Sequence, residues 1–174
     1  MRTRVLAPVL FAAAFAVNGC GYHLGGRGDL IPKTVKTIAV QPFGNATARY
    51  KLARLLPSDI SREFIARTHY RLIDDPNQAD AVLTGALTNF SAYPIIYDSV
   101  SNRATTVQAI VTVQMKLTNR ATGQVIYERP SAEFRERYEI SIDPAAYFDE
   151  SGTAMERLSK DVARNVVSAI LNSF

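Results

Sequence analysis

Cys20 has the most distinctive chemistry in the sequence, because it is the only cysteine of the chain. Two N-terminal arginines precede it, followed by an apolar run over 5–17 that one proline interrupts. Such a run has the length of a signal-peptide core and is too short to span a bilayer. A thiol directly after it is typical of bacterial lipoprotein signals, although Asn18 fits that pattern less well than Ala or Ser would. We therefore expect removal of residues 1–19 and a covalent lipid on Cys20; the alternative is an ordinary secretory signal followed by an unrelated cysteine.

The residues after Cys20 indicate where the anchored protein would be held. Gly21 occupies a position at which Asp tends to retain lipoproteins at the inner membrane, so Gly21 permits transport to the outer membrane, facing the periplasm. The glycine-rich stretch that follows predicts a tether. We expect a lipidated N-terminus and tether over 20–34 and a single domain over 35–174. With Cys20 acylated, no thiol remains for a disulfide or a metal.

Other residue types that could do chemistry are few and scattered. His23 lies in the tether and His69 at the end of a predicted helix, and neither has a second ligand at metal-binding spacing. Asp74 and Asp75 form an adjacent carboxylate pair, but they lie in a polar turn that explains them better. No nucleophile elbow, phosphate loop or dinucleotide motif is present. The sequence predicts a binding or structural protein with no catalytic residues, no metal site and no cofactor besides the lipid on Cys20.

Charge is distributed unevenly along the chain. Residues 22–71 contain nine Lys or Arg and three acids, whereas residues 72–174 contain nine Lys or Arg and thirteen acids. A basic first third could face phosphate groups or anionic lipid, or it could be the solvated face of a helix. Nucleic acid is a poor candidate partner, because the chain carries an export signal and no recognisable nucleic-acid-binding motif.

The elements that must position these residues follow from hydrophobic periodicity. Thr105–Leu117 alternates apolar and polar residues, which predicts a half-buried strand. Leu52, Leu56, Ile60 and Phe64 recur every four residues and predict a helix, which either begins near Pro57 or is kinked there. Altogether, the sequence predicts strands over 35–43, 70–73, 81–90, 105–117 and 125–140, and helices over 51–67 and 153–171.

Three details of these elements are predicted from local residue types. The polar segment 119–124 is a hairpin turn, and Pro130 indicates an edge strand or a bulge. Thr153 and Glu156 have the spacing of a capping box at the start of the last helix. The order β-α-β-β-β-β-α favours an α+β fold, in which one mixed, mostly antiparallel sheet has both helices packed on one face.

Several segments resemble the LptE family of outer-membrane lipoproteins that assemble lipopolysaccharide. The resemblance covers nearly the whole mature chain, and its most distinctive motif is Cys-Gly-Tyr-His-Leu over 20–24. The other matching segments are Thr37-Ile38-Ala39-Val40-Gln41-Pro42-Phe43 with Asn45, Ala79-Asp80-Ala81-Val82-Leu83-Thr84-Gly85, and Thr122-Gly123-Gln124-Val125-Ile126-Tyr127-Glu128-Arg129.

The resemblance implies a sheet with two helices that forms a plug inside the β-barrel protein LptD and helps to deliver lipopolysaccharide to the outer leaflet. Family members bind lipopolysaccharide through basic residues near loops. In this chain the predicted loop 93–104 offers Arg103 beside several apolar residues: Tyr93, Ile95, Ile96 and Tyr97. A second basic contact would be sought before the last helix, where the chain instead has Tyr147, Phe148, Asp149 and Glu150.

A different class of protein remains as the alternative. The segment Ala39–Phe43 with Asn45 also occurs in lipoproteins that activate a periplasmic cell-wall synthase and in lipoproteins of secretion pores. The motif at Cys20 and the long hairpin after Thr105 favour the LptE family over both. Copurification with a β-barrel or with a synthase would discriminate between these classes.

Overall fold

The computed structural model describes residues 31–141 and 151–171. In these residues one six-stranded sheet carries two helices on one face, so the predicted α+β class is confirmed. The signal segment, Cys20 and His23 lie outside the described residues, as do Tyr147–Glu150. The elements are β1 (Thr37–Val40), β2 (Gly44–Asn45), α1 (Tyr50–Arg67), β3 (Arg71–Leu72), β4 (Ala81–Tyr97), β5 (Ala104–Asn119), β6 (Val125–Glu139) and α2 (Ser151–Leu171).

The sheet combines a short parallel part with a long antiparallel part. Its strand order is β3-β1-β4-β5-β6, and β2 pairs with β4 beyond the end of β1. β1 is parallel to both neighbours, whereas β4, β5 and β6 form an antiparallel meander. The strand β2 was not predicted from the sequence; its Gly44 and Asn45 pair in parallel with Ala86 and Leu87.

β5 supplies the centre of the hydrophobic core, as its alternation predicted. Its odd-numbered side chains are buried under the helices, and its even-numbered side chains point to the opposite face. The buried set is Val107, Ala109, Val111, Val113, Met115 and Leu117. β6 is an edge strand, and its pairing with β5 shifts register between Arg129 and Ala132, where Pro130 lies, so the edge strand or bulge that Pro130 predicted is confirmed.

The two helices pack side by side and run in the same direction. Lys51 near the start of α1 pairs with Glu156 near the start of α2, at 2.9 Å between Nζ and Oε1. Near both C-terminal ends, the Arg67 guanidinium donates a hydrogen bond to the Ser168 hydroxyl at 2.6 Å. Between these points the Ser159 hydroxyl donates to the buried Asp59 carboxylate at 2.5 Å.

The helix boundaries answer one open question and correct one prediction. α1 begins at Tyr50, so Pro57 lies inside the helix, which starts before it. α2 already includes Ser151 and Gly152, so Thr153 lies within the helix and the predicted capping box was wrong. The Glu156 carboxylate accepts a hydrogen bond from Lys51 instead, which lowers its pKa.

One close approach joins β4 to the segment after β1. A Cβ atom on Gly85 would lie 2.5 Å from the Phe43 ring, which is closer than side-chain carbons pack. The absence of a side chain at Gly85 therefore allows the Phe43 ring to pack directly against β4. This contact fixes the chain between β1 and β2 onto the sheet.

Candidate functional site

The tip of the β4–β5 hairpin, residues 93–103, is the most exposed apolar part of the described chain. The prediction of a loop over 93–104 was wrong, because β4 continues to Tyr97 and β5 begins at Ala104. Only residues 98–103 form the turn. Four large apolar side chains here are exposed: Tyr93 by 42%, Ile96 by 53%, Tyr97 by 55% and Val100 by 93%.

Asp98 holds the turn in one conformation. Its carboxylate accepts hydrogen bonds from the Ser101 N–H at 2.6 Å, from the Ser101 hydroxyl at 2.7 Å and from the Val100 N–H at 3.2 Å. These bonds lower the pKa of Asp98, the bonds from Ser101 most strongly. Asn102 adopts a positive φ of 55°, a conformation that Asn tolerates better than most residues.

Arg103 is exposed beside this apolar cluster, as the sequence predicted. Its carbonyl accepts a hydrogen bond from the Asp98 N–H at 2.9 Å, so its backbone closes the turn. Ile95 is half-buried, whereas Tyr93, Ile96 and Tyr97 are exposed on the strand that leads into the turn. The structure therefore brings the predicted contact residues together at one end of the molecule.

The helices point their positive ends toward the hairpin tip. α1 begins beside the middle of β4, where the Arg49 guanidinium lies 4.4 Å from the centre of the Phe90 ring. The helix ends beside β3, at the opposite end of the sheet from the tip. Because α2 is parallel to α1, both helix N-termini point toward the tip. A helix N-terminus attracts anions only within about its first turn, so for α1 this effect acts beside the middle of β4.

The face of the sheet opposite the helices is open and mostly polar. On this face Thr112 pairs with Glu133, Ile110 with Arg135 and Gln108 with Arg137. Arg135 and Glu133 form an ion pair at 2.6 Å, and this interaction raises the pKa of Arg135. The Tyr93 hydroxyl donates to the Gln108 side chain at 3.2 Å, which connects the hairpin tip to this polar surface.

Polar residues at the other end of the sheet have structural roles. The Asp80 carboxylate accepts hydrogen bonds from the Lys36 N–H at 2.8 Å, and from the N–H and hydroxyl of Thr37, both at 2.9 Å. These bonds lower the pKa of Asp80 and join the starts of β1 and β4.

One residue of the predicted tether belongs to the domain. Ile31, which we assigned to the tether, is only 1% exposed and belongs to the core.

The carboxylates of Asp74 and Asp75 are exposed in a turn. Asp75 accepts hydrogen bonds from the Asn77 N–H and the Gln78 amide, and its pKa is lowered mainly by the bond from Asn77. His69 is exposed after the C-terminal end of α1. In the described parts of the chain, no three His, Cys, Asp or Glu residues are grouped so as to hold a metal ion.

One cavity of the described chain was not predicted from the sequence. It lies between α1 and the chain that connects β1 to β2, and Pro57 and Arg54 form part of its wall. The hydrophobic periodicity places Ala53 and Pro57 at the side of the apolar stripe of α1, but it does not show which strands end beside them.

Within residues 31–141 and 151–171, neither helix is long and apolar enough to cross a membrane.

Solved structures of three bacterial proteins share this fold at low sequence identity. Lipoprotein B from Nitrosomonas europaea matches with a TM-score of 0.55 and 14% identity, over 88% of this chain and 94% of that chain. PelC from Paraburkholderia phytofirmans, a dodecamer, matches with a TM-score of 0.52 and 16% identity, over 80% of this chain and 89% of that chain. A protein from Xanthomonas campestris matches with a TM-score of 0.52 and 13% identity, over 79% of this chain and 83% of that chain. These similarities establish the fold alone.

No curated protein matches the sequence. A model of the LptE family, described by the term lipopolysaccharide-assembly, matches residues 35–170. This match covers most of the chain and includes both helices and all six strands. The chain therefore belongs to the LptE family of lipopolysaccharide-assembly lipoproteins.

Proposed function

We propose that this protein is an outer-membrane lipoprotein, anchored by lipid on Cys20, that fills the β-barrel LptD and binds lipopolysaccharide during its transport to the outer leaflet. Membership of the LptE family supports the proposal. The observation that carries it is the hairpin tip, where Arg103 stands beside exposed apolar side chains. We propose no catalytic role and no cofactor besides the lipid.

The composition of the hairpin tip suits an anionic lipid. A guanidinium binds phosphate through charge-assisted hydrogen bonds. The apolar side chains of Ile96, Tyr97 and Val100 would contact acyl chains while Arg103 contacts a phosphate. Such a surface distinguishes an amphiphile from a free inorganic anion, which gains nothing from the apolar residues.

The open face of the sheet suits the interior of a β-barrel. The inner walls of membrane barrels are polar. The described residues of this face are mainly Thr, Gln, Glu and Arg, and they leave few large apolar side chains without cover. A plug with such a face could lie against a polar wall, because its polar groups would find polar partners there instead of being buried without hydrogen bonds.

Copurification from detergent tests the partnership. The intact lipoprotein should retain a large outer-membrane β-barrel, identified by mass spectrometry. Recovery of a cell-wall synthase in place of the barrel would replace the proposal with the alternative class. Labelled fatty acid should enter the parent protein but not the Cys20→Ala variant, and labelling that persists in that variant would remove the anchor from the proposal.

Direct binding tests the ligand. Residues 21–174, which lack the lipid anchor, should bind purified lipopolysaccharide, and binding should weaken as salt rises because exposed charge contacts are screened. Arg103→Ala should weaken binding several-fold. Arg71→Ala is the matched control, since Arg71 is also exposed but lies on β3 at the opposite end of the sheet. Equal binding by both variants would exclude Arg103 as a contact, and absence of binding by the parent would leave only the plug role.

A further inference from the structure

The open face of the sheet carries a row of polar side chains across three strands, next to the hairpin tip. Tyr93 on β4 pairs with Gln108 on β5, and Gln108 pairs with Arg137 on β6, so the three side chains are neighbours on one face. Thr106 and Glu139 form the next pair toward the tip. We name these five residues the polar platform. Both helices pack on the other face, and Tyr93, Arg137 and Glu139 are exposed.

The side chains of the polar platform have unused hydrogen-bonding groups. The Tyr93 hydroxyl donates to the side-chain oxygen of Gln108 at 3.2 Å, which positions the ring and leaves the amide N–H donors of Gln108 without a partner among the described residues. In the same part of the chain, the side chains of Arg137 and Glu139 form no hydrogen bond or ion pair. A guanidinium and a carboxylate can each bind two adjacent polar groups of a ligand.

The charges of the polar platform cancel. Arg137 and Glu139 carry one charge of each sign, and the neighbouring Arg135 is paired with Glu133 at 2.6 Å. The described strands β4 and β5 add no charged side chain to this part of the face. A phosphate would find no excess positive charge here, and an acyl chain would leave many polar groups buried without hydrogen bonds. A neutral ligand with both donors and acceptors fits better than either.

The order of chemical groups along the hairpin matches their order in a glycolipid. The turn carries exposed apolar side chains, Arg103 ends it, and the polar platform begins just beyond, at Thr106. Lipopolysaccharide has acyl chains at one end, then phosphorylated sugars, then further sugars. A sugar ring presents hydroxyl groups at its edge and apolar C–H groups on its faces. The exposed ring of Tyr93 can cover such an apolar face, while the planar polar groups bind the hydroxyls.

We propose that the polar platform binds the saccharide part of lipopolysaccharide, with one sugar ring against Tyr93 and its hydroxyl groups on Gln108 and Arg137. This inference rests on the proposed function and deepens it. It assigns the sugars to the open face and leaves the acyl chains and a phosphate to the hairpin tip. The remainder of the open face, toward the start of β4, stays available to the barrel wall.

Saturation-transfer NMR on the intact lipoprotein, in a detergent without a sugar headgroup, tests the inference. The probe is the saccharide of purified lipopolysaccharide after chemical removal of its acyl chains and phosphate groups. Saturation of the protein should transfer to the sugar protons. Titration should give a dissociation constant that does not change with salt, because the platform has no net charge, whereas binding of intact lipopolysaccharide should weaken as salt rises.

Two matched pairs of variants locate the contact. Gln108→Ala should weaken saccharide binding several-fold, whereas Gln114→Ala, on the same strand and face but nearer the start of β4, should not. Tyr93→Phe should retain most of the binding and Tyr93→Ala should lose it, because the ring supplies the contact. All three side chains lie on the open face, so the variants should keep the melting temperature of the parent.

The possible outcomes separate this inference from the proposed function. Equal binding by the Gln108 and Gln114 variants, or saccharide binding that is lost as salt rises, would overturn the inference. Binding of intact lipopolysaccharide without binding of its saccharide would overturn this inference alone. Failure of intact lipopolysaccharide to bind would remove the ligand from the proposed function and this inference with it.

Discussion

The base and the tip of one hairpin, formed by β4 and β5, differ in what surrounds them. At the hairpin base, residues 81–87 and 113–119, the helices cover one face and β1 and β2 cover the edge of β4. At the tip, residues 93–103, large apolar side chains are exposed. Packing determines the residues at the base, whereas the large apolar side chains at the tip are exposed. The comparison separates positions that hold the fold from positions that can carry function.

The largest expected effect comes from a charge in the hairpin base. Val113 is fully buried, so Val113→Asp should place an unpaired carboxylate in the core and cost at least about 4 kcal/mol of the free energy of unfolding. Thr112→Asp, one residue earlier, points to the open face and should cost about 1 kcal/mol or less, mainly through repulsion by Glu133 opposite it. Thermal denaturation compares the two, and equal losses would contradict the register of β5.

A smaller effect is expected where the base contacts Phe43. Gly85→Ala should push the Phe43 ring away from β4 and cost about 1–3 kcal/mol, as overpacking does. Phe43→Leu in the same chain should recover part of this loss, because the clash disappears. Gly44→Ala is a milder control, since its Cβ would lie 3.2 Å from the Ala86 side chain. Urea denaturation of the single and double variants gives the coupling energy between positions 43 and 85. If the losses of unfolding free energy simply add, a direct clash between the two side chains is excluded.

Acid should weaken the base through Asp80. The pKa of Asp80 is lowered in the folded chain. The ionised carboxylate therefore stabilises the fold at pH values above the ordinary Asp pKa of about 4, and this stabilisation is lost as the pH falls through the lower pKa of the folded state. Asp80→Asn should therefore reduce the loss of stability on acidification, although it is less stable than the parent at neutral pH. Urea midpoints measured between about pH 5 and pH 3 test this, and parallel pH profiles would contradict it.

The smallest effect on stability is expected at the tip. Tyr97 is 55% exposed, so Tyr97→Ser should change the free energy of unfolding by no more than about 0.5 kcal/mol. The same variant should bind lipopolysaccharide less tightly, because it removes apolar contact area. A loss of stability comparable to that of Gly85→Ala would show that the tip belongs to the packed structure and would end the distinction between tip and base.

The paired strands β4 and β5 could be predicted at the base but not at the tip, and the pairing of β4 explains why. β5 keeps its alternation from Val107 to Leu117, with only Ile110 as an apolar residue on the open face, because its odd-numbered side chains are buried beneath the helices. In β4 the register shifts between Leu87 and Asn89, so the alternation breaks and the predicted strand ends at Phe90. Pro94 then suggests a loop. It is tolerated in β4 because β2 ends opposite Leu87, so this part of β4 has a neighbouring strand on one side only.

The candidate sites show the same limit. Arg103 was identified because a basic residue beside aromatic residues is visible along the chain. The cavity beside Arg54 and Pro57 was not predicted, since it lies between α1 and the chain that connects β1 to β2, which only the folded chain brings together. Pairing lengths between distant strands are set by tertiary contacts and not by local periodicity.

The length of β4 has a consequence for reach. Its 17 residues rise by about 3.3 Å each, so the strand spans roughly 50 Å from Ala81 to Tyr97. The chain enters the domain beside Ala81, where the Lys36 N–H bonds to Asp80. The hydrocarbon layer of a bilayer is only about 30 Å thick. The point where the chain enters the domain and the hairpin tip are therefore farther apart than this layer is thick.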